Sequence, residues 1–290
     1  MFVRESVMLG GKPLTLETGR LAKQAEASVL VTYGETQVLV TLCYQAPRPG
    51  MDFFPLTCDY VEKTYAAGKI HGGFFKREAR QRDSEILTCR IMDRPVRPLF
   101  PSGFKMDTQL IATVMSSDSE NKGDVLALTG ASAALHLSGL PWEGPIVGVR
   151  VGRVEGELII NPTLKQIEVS DFDLIVACSR DAIVMVEGGS NEINERELAD
   201  ALEFGHQSAQ PVIELIEEMR AVVGKPKIEF KVPALAGDLK ARVSKLVDQD
   251  LRAATRIKEK HARYERYSEI KTKMLEALGA ELTAEVLAEK

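Results

Sequence analysis

Strands that alternate with helices up to about residue 223, followed by a purely helical pattern from residue 238, predict an α/β layer fold with a small all-α domain behind it. Size and composition agree. A chain of 290 residues, 44% hydrophobic and 27% charged, can hold one large domain or two ordinary ones and has the make-up of a soluble globular protein. The boundaries read from these patterns are a first domain over 1–225, a linker over 226–237 (PKIEFKVPALAG) and a helical domain over 238–290.

The elements follow in chain order. Residues 14–60 read as strands. Within SVLVTYGETQVLVTL two β-branched runs flank Tyr33-Gly34-Glu35-Thr36, a hairpin signal. DFFPLTCDYVEKTY reads as a further strand, entered after Pro49-Gly50. A helix is expected from about Ser84 to Arg94, ended by Pro95, with Pro98 holding Arg97 in an extended exit. Residues 107–116 (DTQLIATVMS) read as a buried strand. Asp124 is placed to cap a helix running to about Ser138. Its Ala127, Gly130, Ala131 and Ala134 make a small-residue face suited to close packing on a sheet.

IVGVRVGRVEGELII reads as a hairpin turning near Glu155-Gly156, and DLIVACS and AIVMVEG as two short apolar strands. Asn194 with Glu197 three residues on marks the start of a long helix. That helix is stopped at Gly224 and Pro226, with a kink expected at Pro211. Beyond the linker, Leu239, Val243, Leu246, Val247, Ala254 and Ile257 keep a 3.6-residue period. Gly279 breaks the pattern and a last helix is expected near Leu282.

Several classes are set aside. No apolar run approaches the ~20 residues of a membrane span, and the first residues lack the apolar centre of a secretory signal. The expected location is cytoplasmic. Cys43, Cys58, Cys89 and Cys178 are far apart and read as reduced core residues rather than a disulfide framework or metal site. The four histidines have no ligand spacing, so no metal site is expected.

The charge is uneven. Residues 69–105 carry nine basic and four acidic residues, a net of +5 in a chain of −5, so the remainder sums to −10. Such a segment attracts anions. Phe74-Phe75 follows Gly72-Gly73 and precedes Lys76-Arg77, with Arg80 close behind. Aromatic faces can stack on unpaired bases while cations meet phosphates. The same pattern also fits a loop anchored by core aromatics, and charge-rich helix faces are commonly just solvated. Arg90 and Arg94 share one helix face, and with Arg97 they suggest a planar grip on phosphate.

FFKREARQRDSEILTCRIMDRPVRPLFPSGF resembles the signature of the bacterial polynucleotide phosphorylase family, in the first of its two RNase PH-like cores. LETGRLAKQAEASVLVTYGETQVLVT, DFFPLTCDYVEKTYAAGKI, TGASAALHLSGLPWEGPI, VMVEGG and EFGHQ extend the resemblance over essentially the whole chain. It implies an RNase PH-like core, with a mixed sheet and packed helices, followed by an incomplete helical domain. It implies a phosphate-dependent 3′→5′ exoribonuclease of RNA degradation, reversible as a polymerase on nucleoside diphosphates and forming a ring-shaped homotrimer. Single-stranded RNA would be the partner, with no DNA and no membrane. Magnesium and inorganic phosphate would serve the full enzyme, with neither expected bound to this chain.

By the same resemblance Phe74, Phe75, Lys76 and Arg77 match the loop that narrows the ring's pore, with Lys76 where arginine is common. Arg90, Arg94 and Arg97 match arginines facing the active site. The family's phosphate sits in a serine-rich loop, to which Ser116–Asp124 corresponds here. Asp118, Glu120 and Asp124 would repel it, and Asp171 and Asp173 read as turn and strand-edge residues. No catalytic residue is therefore assigned to this core. The alternatives are a non-catalytic RNA-binding or assembly module and a stand-alone RNase PH-like enzyme that trims tRNA ends.

Overall fold

The computed structural model describes residues 1–47, 50–72, 78, 80–231 and 237–279. Met1–Lys231 form one compact unit and Val232–Lys290 a second.

The first unit holds two sheets. β1 (Val3–Leu9), β2 (Lys12–Thr18), β3 (Ala27–Tyr33), β4 (Thr36–Gln45), β5 (Leu56–Glu62) and β6 (Asp107–Ser116) form a six-stranded sheet in the order β1-β2-β3-β4-β6-β5. Its pairings are antiparallel except β5 with β6, which is parallel, so the sheet is mixed. β7 (Val147–Val154), β8 (Glu157–Ile160), β9 (Phe172–Cys178) and β10 (Ile183–Ser190) form an antiparallel sheet ordered β10-β9-β7-β8.

Turn chemistry fixes both predicted hairpins. Gly34 takes φ +62 between β3 and β4, and Glu155 and Gly156 take φ 53 and 87 between β7 and β8. Positive φ values in two-residue turns match the twist of the strands they join. β1 and the short helix α3 (Leu164–Glu168) lie outside the sequence reading. β1 escaped notice because Arg4, Glu5 and Ser6 stand side by side in it, which breaks the alternation that marks a half-buried strand.

Helices supply the rest of the layers. α1 (Asp83–Val96) packs on β5. α2 (Asp124–Leu137) has all fourteen residues buried and touches β3 and β4 of one sheet and β7 of the other. A Cβ at Gly130 would stand 2.6 Å from Val40 Cγ2 and 2.8 Å from Val31 Cγ2, so the glycine sets how closely α2 lies on the sheet. Its cap differs from expectation. Gly123 is the N-cap, and Asp124 is the first helical residue, because its carboxylate turns to Val125 N–H and to Arg150. α4 (Glu195–Val223) starts at Asn194, which accepts from Glu197 N–H at 2.9 Å, runs through Pro211 and stops at Gly224.

α1 corrects two further expectations. Pro95 lies inside the helix, and Arg97 has helical φ −57, ψ −44 and opens a 3-10 turn rather than an extended exit. The reason is that Arg97 N–H still reaches Asp93 O, so the ladder continues past the proline. Cysteine burial splits as well. Cys178 is buried, but Cys43 is exposed, because it falls on the outward side of the period-2 alternation in β4.

In the second unit the helical pattern divides into α5 (Gly237–Ala254) and α6 (Lys260–Gly279). Val247, Ala254 and Ile270 form its small core, backed by Val243, Tyr267 and Met274. α5 ends where Thr255 Oγ1 donates to Arg252 O. α6 begins where the Glu259 carboxylate accepts from the N–H groups of His261 and Ala262. The helix expected near Leu282 lies outside the described residues.

Candidate functional site

α1 is built on two faces. Thr88, Ile91, Met92, Pro95 and Val96 recur at helical spacing and are buried. Its start is tied down by Glu85, which accepts from Arg82 N–H at 2.7 Å and from Glu62 N–H at 2.8 Å. Burial raises the Glu85 pKa, but these two N–H groups and Arg82 outweigh it and hold the carboxyl below its ordinary value. The opposite face carries the predicted arginines.

The structure treats the three arginines differently. Arg90 is exposed and has no bonding partner among the described residues. Arg94 is half-exposed and reaches Glu187 of β10 at 2.5 Å. Arg97 is partly exposed, but all three of its nitrogens are bonded. It meets Asp93 at 3.1 and 2.5 Å, donates to the carbonyls of Phe54 and Leu56 at 3.1 Å each, and lies over the Phe54 ring. Phe54 in turn belongs to an aromatic group with Phe100, Phe104 and Phe230.

Phe74, Phe75, Lys76 and Arg77 lie outside the described residues. The chain just after them is anchored. Glu78 accepts from Thr64 N–H at 2.8 Å and from Thr64 Oγ1 at 2.7 Å, and Lys63 Nζ donates to its carbonyl. Arg80 is exposed beside this anchor, in a cleft shared with Lys63, His71 and Arg82.

Next to α1 opens a larger cleft of about 710 Å³, to which Lys63, Lys69, Arg82, Thr88, Lys122 and Asp173 contribute. The loop between β6 and α2 forms one wall. Its geometry explains its acidic residues. The Asp118 carboxylate collects Glu120 N–H and Asn121 N–H at 2.8 Å, Asn121 Nδ2 at 2.5 Å, Thr36 Oγ1 at 2.9 Å and Glu35 N–H at 3.2 Å. Partial burial opposes ionisation, but the N–H groups of Asn121 and Glu120 outweigh it and hold this carboxyl well below the usual range. Gly34 allows the approach, since a Cβ there would stand 2.7 Å from Asn121 Nδ2. The loop's inward donors are thus bonded to the protein's own anion. The N–H groups of Glu120 and Asn121 are therefore not left open to an outside anion.

The charged centre that sequence reasoning missed is Arg150. It is buried in β7 and pairs with both Asp124 and Asp173. Burial works against its charge, but the two carboxylates raise its pKa overall. Asp173, at the start of β9, is therefore also the partner of a buried arginine. Asp171 pairs with Arg153, which also reaches Glu197 at 3.3 Å. The available signal was an arginine inside the apolar run VGVRV. With Arg150 between them, Asp124 and Asp173 do not fit a magnesium ion, and no step through that metal is derived for this chain.

Comparisons with known proteins fall on the same elements. A family model described as "3' exoribonuclease family, domain 1" matches residues 10–141, and "3' exoribonuclease family, domain 2" matches residues 144–208. A polyribonucleotide nucleotidyltransferase of Sorangium cellulosum is 68% identical over 287 residues, 99% of this chain and 38% of that protein. Proteins of the same description are 49% identical in Nitratidesulfovibrio vulgaris, over 96% of this chain and 37% of theirs, and in Geobacter sulfurreducens, over 94% and 39%. The chain thus spans under two-fifths of the length of these relatives. Among solved structures, rice Rrp46 superposes with a TM-score of 0.59 at 15% identity, covering 74% of this chain and 96% of that one, a likeness of fold.

Proposed function

The chain belongs to the 3′ exoribonuclease family, and from that premise we propose that it is the RNA-handling part of a phosphate-dependent 3′→5′ exoribonuclease. In that reaction an oxygen of inorganic phosphate attacks the phosphorus of the last phosphodiester. The bond to the 3′ oxygen of the preceding nucleotide breaks, releasing a nucleoside diphosphate and an RNA one residue shorter. Run backwards, the same step polymerises nucleoside diphosphates. In this reading magnesium and phosphate act outside this core, the whole enzyme is a homotrimer in the cytoplasm, and single-stranded RNA is the ligand.

The observation that carries the reading is the outer face of α1. Arg90 is unpaired among the described residues and Arg94 is half-exposed, and both follow Phe74-Phe75-Lys76-Arg77 and Arg80 in the sequence of a chain whose remainder is acidic. Arg90 and Arg94 would meet RNA phosphates. Arg97 would support them, since its donors hold α1 to the Phe54–Leu56 segment. Phe74 and Phe75 would stack on bases.

The two contributions separate in a salt series with labelled oligo(A). Replacing Phe74 and Phe75 by Ala removes stacking of about 1–3 kcal/mol per base and leaves the salt slope nearly unchanged. Replacing Arg90 and Arg94 by Ala flattens the slope of log K against log salt by about 0.7 for each phosphate no longer neutralised. Wild-type binding by both variants at every salt concentration refutes the assignment.

A further inference from the structure

The second positive region of this chain lies in the second unit. Residues 238–279 carry eleven basic and seven acidic residues, a net of +4 in a chain of −5. The excess concentrates at one end of the helix pair. The turn from Ala254 to Lys260 and the first turn of α6 contain Arg256, Lys258, Lys260 and Arg263, with His261, against the single acid Glu259.

Of the acids nearby, all but Glu265 beside Tyr264 are already engaged. Glu259 gives its carboxylate to the N–H groups of His261 and Ala262, which holds its pKa below the ordinary value. Asp248 pairs with Arg252, while Asp250 and Glu269 pair with Arg266. Arg263 donates through Nη1 to the carbonyls of Ile257 and Lys258, which fixes the path of the turn. Arg256, Lys258, Lys260 and His261 are exposed, with no side-chain partner among the described residues. Directly after them Tyr264 leaves 58% of its surface exposed, its ring held edge-on to Tyr267 at 6.0 Å.

We propose that the turn joining α5 and α6 is a second binding surface for single-stranded RNA, with Arg256, Lys258 and Lys260 on phosphates and the Tyr264 ring against a base. The proposal rests on the RNA-handling reading above but uses none of its residues. Three free cations within five residues span at most roughly 13–15 Å, at ~3.3–3.6 Å per residue. That is enough to follow a few phosphates of an extended strand. The positive charge favours a polyanion, and an exposed ring held by its neighbour supplies the stacking platform that distinguishes a nucleic-acid strand from an acidic protein surface.

The test uses the full 290-residue chain and three variants: Arg256→Glu with Lys258→Glu and Lys260→Glu, Tyr264→Ala, and Arg90→Ala with Arg94→Ala. All six positions are exposed surface, and circular dichroism and a melting curve check that folding is kept. Binding of a fluorescent oligo(A) strand of about 20 nucleotides is followed from roughly 25 to 300 mM salt, with poly-glutamate as a second probe. The triple reversal is expected to weaken oligo(A) binding more than about tenfold and to lower the salt slope by about 2, from three phosphates at ~0.7 each. Tyr264→Ala is expected to weaken binding at least about fivefold at an unchanged slope, about 1 kcal/mol.

If the triple reversal binds oligo(A) like wild type while the α1 variant is impaired, this inference falls and the α1 reading stands. If only the α1 variant is unaffected, the reverse holds. No oligo(A) binding by wild type removes both. A loss seen with poly-glutamate and not with oligo(A) assigns the turn to an acidic protein and overturns the proposal.

Discussion

At the scale of single residues, two charged groups decide how the cleft behaves. Asp118 supplies the loop after β6 with its own anion, and Arg150 pairs with both Asp124 and Asp173. The second arrangement makes a direct prediction. Arg150→Ala leaves Asp124 and Asp173 facing one another without a cation, and breaking such a buried pair costs about 3–5 kcal/mol. A lower urea midpoint for the unit containing the sheets checks this. Replacing all three members together, with Arg150→Met, Asp124→Asn and Asp173→Asn, recovers most of the loss, because no uncompensated charge remains. An unchanged midpoint for Arg150→Ala contradicts the pairing. These groups were only half legible beforehand. Asp118 and Asp124 stood out as acids, but Thr36 and Glu35, which complete the Asp118 cage, and Arg150, which pairs with Asp124, come from the β3–β4 turn region and β7. The burial of Arg150 depends on residues 23 and 26 positions away. Local spacing holds no trace of such pairs.

At the scale of elements, α2 is the one on which the first unit is built, since it touches both sheets and it alone among the described helices is buried on every side. Its small residues were readable as a packing face, and the structure puts Gly130 against Val31 and Val40. Gly130→Leu forces a whole branched side chain into that space. Overpacking of a filled core costs typically about 1–3 kcal/mol, and no side chain is free to move aside, so a loss of about 3 kcal/mol is expected. Gly130→Ala loses less, because a gain in helix propensity of about 1 kcal/mol offsets part of the crowding. Thermal melts of the two variants check the order. A leucine variant as stable as wild type shows that α2 sits less closely on the sheet than these distances say. α1 shows the limit of reading elements locally. A proline usually ends a helix, but here the N–H of Arg97 still found its carbonyl on Asp93, and tertiary bonds to Phe54 and Leu56 held the turn in place.

At the scale of the whole molecule, an acidic chain carries its positive charge in two places, one on each compact unit. In the β6–α2 loop the N–H groups of Glu120 and Asn121 are bonded to Asp118, the protein's own anion. The 290-residue chain by itself is therefore expected to bind RNA without cleaving it. Incubated with poly(A), inorganic phosphate and magnesium, a pure sample releases no ADP, read by chromatography. Phosphate-dependent ADP release would show that this core is catalytic. The sequence by itself determined the alternation of strands and helices, both two-residue hairpins, the start of α4 and the position of the basic segment. Each of these depends on neighbours a few residues apart: a period, a turn residue, a cap, a run of charge. Only the tertiary structure decided which charges are available. It left Arg90 open, bound Arg97, drew Asp118 into its own loop and buried Arg150 between two carboxylates. A charge is free or taken according to what the fold brings within bonding distance, and the partners that settle it for Arg150, and in part for Arg97 and Asp118, come from distant parts of the chain.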